Sequence, residues 1–507
     1  MREHSFILNR EGVRKVNKKL TLIVLPLIST LFGLSWAISS PPGSASDEIY
    51  HLGSVWCAWG ENEICKFDGE PQETGRRNIT LTPEFSKAGC FRSDIDKQSK
   101  SAECYTEKIV HNDRFAWEMN SGNYPGLTYT VLRTFATNNI DLSVIIMRVF
   151  NYSLFTISII LAFYSLRRKT FYASMLSIFI TSIPVSIFFL TSINPNSWTI
   201  IGIGLYWAFL WDLFNANRSK PSKRLYLGLV FLSILSIGSR SDAAIYILVL
   251  NIILFVYLFI TRALVKNRLK LILVTLISVW AFLQFLYNTQ FEAESKSVNS
   301  ERGLSLFIQN FRELPAYYLG LFGGKGPEEW PFGLGWFDTP IPSVVPVLAG
   351  LNILLAGIAF VRLKDSMQKF YVAILPFFMI LIPLTILQLR GSNAMYFLQP
   401  RYLLPLLIVF FGILLIDFNK SKYFNAVTGI IIVILSIINA ISLYTNIKRY
   451  TVGLNSEISI FQSVDWWWDI PYSPSMNWIV GTVTFPILLS LIFFKLFNMK
   501  LDTKVSQ

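Results

Sequence analysis

The residues best suited to chemistry lie together near the start of the chain. Pro41-Pro42-Gly43-Ser44-Ala45-Ser46-Asp47-Glu48-Ile49-Tyr50-His51 places two adjacent carboxylates and an imidazole directly after an apolar run. The paired prolines lack N–H donors and end a helix there. A carboxylate beside an apolar boundary is partly desolvated, which raises its proton affinity and suits it to general-base work. The plainer reading is a solvated loop in which Asp47 caps a short helix. Arginines fit a complementary task, because a guanidinium matches phosphate geometry and stabilises negative charge developing on it. Arg240 sits with Asp242 in a very short turn between two apolar runs, Gly238-Ser239-Arg240-Ser241-Asp242. Arg401 precedes a later run, and Arg390 is a further candidate. An internal Arg240–Asp242 pair and interface anchoring by Arg401 are the structural alternatives. Arg148, inside an apolar run, reads as structural, either snorkelling or paired with Asn151.

Other polar residues have aromatic or turn-forming neighbours. Asp338 follows Trp336 and Phe337, and sugar faces stack on aromatic rings. An aromatic belt at a membrane interface accounts equally well for Trp330, Trp336 and Trp466-Trp467-Trp468. Asn194 and Asn196 form a polar turn, for which turn formation alone is reason enough. Four cysteines, Cys57, Cys65, Cys90 and Cys104, all fall in one polar stretch. An even number clustered outside a membrane reads as two disulfides with three connectivities open, of which the local pairs Cys57–Cys65 and Cys90–Cys104 are favoured. A zinc site is the rival, but no Cys-x-x-Cys spacing is present.

The elements that must position these residues are membrane helices. Apolar residues make up 52% of the 507 and charged residues only 15%, well below a soluble domain. Twelve apolar runs are long enough to serve as spans, near 20–38, 142–164, 171–191, 198–214, 225–239, 243–261, 269–287, 342–361, 370–388, 402–417, 427–445 and 477–495. With the N-terminal tail inside, alternate segments hold more than half of the 45 Lys and Arg residues and few acids. The positive-inside rule is then obeyed at every turn, and both termini are cytoplasmic. The net charge of +13 needs no nucleic acid to explain it. The division expected is a cytoplasmic tail at 1–19, a first helix at 20–38 and an extracytoplasmic domain at 39–141. Helices two to seven follow over 142–287, then an outer loop at 288–341. Helices eight to twelve occupy 342–495 with an outer loop at 446–476, and a tail at 496–507 is cytoplasmic.

The Asp47-Glu48-x-x-His51 cluster resembles the first-loop acidic motif of GT-C membrane glycosyltransferases, including protein O-mannosyltransferases. Further stretches resemble one bacterial family within that superfamily, known mainly as a domain of unknown function. They are Pro41-Pro42-Gly43, Tyr124-Pro125-Gly126-Leu127-Thr128-Tyr129, Ser192-Ile193-Asn194-Pro195-Asn196, Gly333-Leu334-Gly335-Trp336-Phe337-Asp338-Thr339-Pro340 and Gln399-Pro400-Arg401-Tyr402-Leu403-Leu404-Pro405. Each is weak alone; their order and common placement carry the likeness. The resemblance implies an all-α GT-C-like bundle of about twelve transmembrane helices with a large first extracytoplasmic loop domain. It also implies transfer of a sugar from a polyprenyl-phosphate donor to a cell-envelope glycan or protein acceptor. By it, Asp47 is the base, Glu48 an assistant or a sugar ligand, and His51 an orienting group. Arg240, where many relatives have lysine, and Arg401 hold the donor phosphate. Tyr124, Asn194, Trp336 and Asp338 line the sugar or acceptor pocket. No motif specifies a cofactor, and a divalent metal is left open because some relatives use one and others do not. The expected place is the bacterial plasma (inner) membrane, in contact with membrane lipid. The alternative function is a transporter or flippase for an envelope polysaccharide precursor. Transporters carry charge near mid-membrane, whereas the unusual charges here gather at outer helix ends.

Overall fold

The computed structural model describes residues 23–92, 101–106, 113–182, 184–215, 221–287, 303–325, 331–418, 423–462, 464 and 466–496. The tail expected at 1–19, and all but Leu496 of that at 496–507, lie outside them. Every apolar run is helical where described. Ile23–Ala37 forms α1. The short helices Glu48–Trp56 and Leu127–Leu132 are α2 and α3. Ile140–Ser165 is α4, Arg168–Ser182 is α5 and Val185–Leu190 is α6. Asn196–Phe214, Lys223–Ile237, Ser241–Ile260 and Arg268–Tyr287 are α7 to α10. Leu304–Gly320 is α11, followed by α12 at Val344–Phe360, α13 at Ser366–Arg390 and α14 at Pro400–Leu414. Phe424–Thr451 and Pro474–Ser490 are α15 and α16.

Seven of the described helices are long and apolar enough to cross a membrane; α1, α12 and α14 are shorter apolar helices. The run at 171–191 is two helices rather than one, because Pro184 at the start of α6 cannot donate a helical hydrogen bond. The outward faces are apolar as well as the core. On α10, Leu269, Ile272, Leu276, Val279 and Leu283 are all exposed, the pattern of a face that lipid covers. Where α7 and α8 meet, Gly202 lets the backbones close. A Cβ there would fall 2.0 Å from Ser236 Oγ and 2.8 Å from Leu232 O.

Two polar regions depart from the all-helical expectation. The 39–141 segment contains a three-stranded antiparallel sheet of β1 (Cys65–Asp68), β2 (Arg76–Leu81) and β3 (Phe115–Asn120) in that order. Both favoured disulfides are present. Cys57–Cys65 ties the end of α2 to the start of β1, and Cys90–Cys104 closes the segment beyond β2. The 288–341 region is not simply a loop. It holds α11, whose Leu304, Phe307 and Phe311 are exposed, and short strands near Gly333. At the end of the bundle away from the sheet, Asp212 of α7 accepts from Arg167 Nε at 2.8 Å and from Thr170 Oγ1 at 2.6 Å. Lys169 and Asp417 lie 3.7 Å apart at the same end.

Candidate functional site

The turn that carries Asp47 is built around a buried ion pair. Arg148 of α4 donates through Nε and Nη2 to both carboxylate oxygens of Glu48, at 3.1 and 2.7 Å. Its remaining donors reach the carbonyls of Ala37, Ser40 and Pro41 at 2.7–2.9 Å. Glu48 also accepts from the backbone N–H groups of Gly43, Ala45 and Ile193. Both charges are therefore fully partnered, the condition for tolerating them away from water. Arg148 is structural as expected, but its partner is Glu48, and it neither snorkels nor pairs with Asn151. Gly43 is needed in this turn, since its φ is +83° and a Cβ would meet Gly89 N at 2.8 Å.

Glu48 is thereby spent on the scaffold, and Asp47 faces the opposite way. Its backbone lies in the left-handed region at φ 63°, uncommon outside glycine. The carbonyl just before it, Ser46 O, accepts from Asn194 Nδ2 at 2.9 Å. The Asp47 carboxylate accepts through Oδ2 from Arg401 Nη2 at 2.5 Å, and its side chain remains 34% exposed. Oδ1 makes no hydrogen bond among the described residues. Burial pushes the Asp47 carboxyl up, but the summed attraction of Arg401 and its neighbours outweighs this and holds it below the ordinary carboxylate range.

Asp47 opens into a cavity of about 780 Å³ between the sheet and the bundle. One part of its wall is polar: Asp47, Tyr50, Arg92, Tyr124, Arg240, Asp242, Trp336 and Tyr402. Another is apolar: Ile382, Pro383, Ile386 and Leu387 of α13 with Leu403 and Leu406 of α14. Arg240 forms a forked pair with Asp242 at 2.9 and 3.0 Å, and its guanidinium lies 4.6 Å from the Tyr402 ring and 5.4 Å from the Tyr124 ring. The internal pair and the cavity placement coexist. Arg92 lies 3.6 Å from the Trp336 ring, and Trp336 Nε1 donates to Gly43 O at 3.0 Å.

The expected residues thus separate into three groups. Asp47, Arg240, Tyr124 and Trp336 line the cavity, as does Arg390. Arg401 sits behind Asp47 instead of in the wall; its Nε and Nη1 are buried with no hydrogen-bond partner among the described residues. Glu48, Asn194 and Asp338 do not face the cavity. Asn194 is committed to Ser46 and Asn196, and Asp338 accepts from Arg449 Nη2 at 3.1 Å and from the backbone N–H of Trp336. His51 is buried one turn behind Asp47, with Nδ1 2.9 Å from Tyr129 Oη. Burial pushes its imidazole down to about 3, so it is neutral. Arg92 and Tyr402 were not among the expected site residues. Arg92 carries no sequence signal, but Tyr402 lies within the Gln399–Pro405 motif.

These side chains do not assemble a divalent-cation site. Among the described residues no three His, Cys, Asp or Glu side chains gather, and the cavity carboxylates Asp47 and Asp242 are each paired with an arginine. What the arrangement offers is an ionised carboxylate, guanidinium groups and an apolar wall within one cavity. A family model described as "Predicted membrane protein (DUF2142)" matches residues 30–410. No curated protein and no solved structure matches the chain.

Proposed function

We propose that this chain, which belongs to the predicted membrane protein family DUF2142, transfers a sugar from a polyprenyl-phosphate donor to a cell-envelope acceptor on the extracytoplasmic face. The observation that carries this reading is the pairing of Asp47 with cations and an apolar wall in a single cavity. Such a cavity suits a ligand with a lipid tail, an anionic phosphate and a polar sugar. The tail lies against Ile382, Ile386 and Leu406, while Arg240 and Arg92 face the phosphate. Asp47 Oδ1 takes the proton from the acceptor hydroxyl as that oxygen bonds to the sugar's anomeric carbon. The bond from that carbon to the phosphate oxygen breaks, and polyprenyl phosphate leaves with the electron pair. Arg240 and Arg92 stabilise the charge gathering on the leaving group. In this reading all twelve apolar runs, that at 171–191 as the broken pair α5 and α6, cross the bacterial plasma membrane and both termini are cytoplasmic. The 39–141 domain, with its sheet and disulfides, covers the cavity from outside.

The test is transfer from a radiolabelled polyprenyl-phosphate sugar to envelope acceptors by the purified protein in nanodiscs. Asp47→Asn should lower the rate by about a hundredfold or more, while donor binding survives. Normal transfer by a correctly folded Asp47→Asn protein would sink the base assignment. A wild type that neither consumes nor binds the donor, but moves envelope precursors across vesicles, would replace the enzyme with a transporter.

A further inference from the structure

A second concave surface, of about 1360 Å³, lies between the start of α4 and the segment joining α15 to α16. It shares no lining residue with the cavity of Asp47. Its wall carries consecutive tryptophans and Tyr472. The rings of Trp466 and Tyr472 lie 6.2 Å apart with 41° between their planes, and both keep partial exposure. Trp467 and Trp468 are turned into the protein, at 6% and 3% exposure. Trp468 Nε1 donates to Ile38 O at 2.8 Å, which fixes the segment against the end of α1. Trp467 Nε1 is buried without a hydrogen-bond partner among the described residues. Asp141 also lines the cleft; it accepts from Tyr105 Oη through Oδ1 at 2.5 Å, and Oδ2 makes no hydrogen bond among the described residues.

The chemistry of this surface points to one class of ligand. A pyranose ring presents a C–H face that lies on an aromatic ring and hydroxyls that donate to carboxylates and amides. Aromatic walls with a few placed polar groups are the general form of such sites. Three lining carboxylates, Glu84, Asp141 and Asp469, face one ammonium, Lys87, so an anionic glycan is repelled and a neutral one is not. An interface belt would set its rings toward lipid. Here two of the three indoles point inward, and the carboxylates would be costly against hydrocarbon. We infer that this cleft is a second saccharide site, binding a run of neutral sugar units by stacking on Trp466 and Tyr472 and by hydrogen bonds to Asp141. It binds whether or not the Asp47 cavity transfers sugar. Where transfer occurs, the cleft holds the acceptor chain and the cavity holds the lipid-linked donor.

The test uses the full chain in nanodiscs, titrated with cello-, malto- and chitotetraose and followed by tryptophan fluorescence and calorimetry. At least one should bind saturably with a Kd below about 10 mM. Trp466→Ala and Tyr472→Ala should each weaken that binding about tenfold, equivalent to about 1.4 kcal/mol. Trp466→Phe should retain most of it, and Asp47→Asn should leave it unchanged. The donor-transfer assay fails independently of this one, so the two readings can be separated. Absence of saturable binding to all three sugars overturns the inference, as does binding that survives the Trp466→Ala, Tyr472→Ala double variant. Quenching of the cluster by brominated lipid without any response to sugar also overturns it, and assigns these rings to the bilayer interface.

Discussion

Arg401 and Asp47 are separated by 354 positions, yet one guanidinium nitrogen donates to one carboxylate oxygen. The contact leaves the other oxygen for the cavity and keeps the carboxyl ionised. A sign can be assigned to its pH behaviour. The folded carboxyl is held below its ordinary value of 3.8, so Asp47 is already charged throughout the neutral and mildly acid range. The acid limb of the proposed transfer should therefore fall below that value. In Arg401→Met the largest counter-charge is gone and burial is opposed only by the weaker attraction of the remaining neighbours, Arg240 among them, so the limb should move to higher pH with donor affinity little changed. A limb that stays put, or a loss confined to donor binding, would show that Arg401 serves the phosphate instead. His51 offers a stability test. It is neutral when folded, down to about pH 3, but takes a proton near pH 6.5 when unfolded. Stability must then be lost as pH falls through that window, by about 2 kcal/mol between pH 6.5 and about 5. Melting curves of His51→Gln should lack this component; an unchanged slope would refute the buried, neutral assignment.

At the scale of elements, the site depends on how α1, α2 and α4 are pinned together. Arg148 reaches three carbonyls at the end of α1 and both oxygens of Glu48 at the start of α2. The turn between them presents Asp47 in its left-handed conformation. A strained residue persists only where its surroundings over-determine it, and here Asn194, from the turn before α7, adds a further tie through Ser46 O. Removing one member of a buried pair leaves the other uncompensated and costs about 3–5 kcal/mol. Arg148→Met should lower the melting temperature of the detergent-solubilised protein markedly. A Glu48→Leu, Arg148→Met double variant should recover part of the loss, because no lone charge remains. Equal stability of Arg148→Met and wild type would show that the pair does not hold the turn. Arg148 was legible in the sequence as structural, since a charge in an apolar run must find a partner. Which carboxylate it finds was not, because helix period alone does not say where the chain returns after two prolines.

Across the whole molecule, basic segments and the cavity occupy opposite ends. Arg167, Lys169, Asp212 and Asp417 meet at one end, and Asp47, Arg240 and Arg401 meet at the other. Twelve crossings with both termini inside predict that reporter fusions after Lys169, Arg224 and Lys364 read as cytoplasmic, and those after Glu70 and Asn455 as extracytoplasmic. Two reversed signals would refute the alternation. By itself the sequence determined that the chain is a helical membrane protein, because hydrocarbon must be met by long apolar runs whose backbone bonds close internally. It also indicated the disulfide pairing, since cysteines 8 and 14 residues apart are the nearest available partners. The sheet in 39–141 did not announce itself, because its strands are short and β2 and β3 are far apart in sequence, ending at Leu81 and beginning at Phe115. Only the tertiary structure decided the division of labour within Asp47-Glu48-x-x-His51. Adjacent carboxylates look alike in a sequence, but their side chains leave the backbone in different directions. Packing gave Glu48 five donors and no access to the cavity, and it left Asp47 one arginine and an open oxygen.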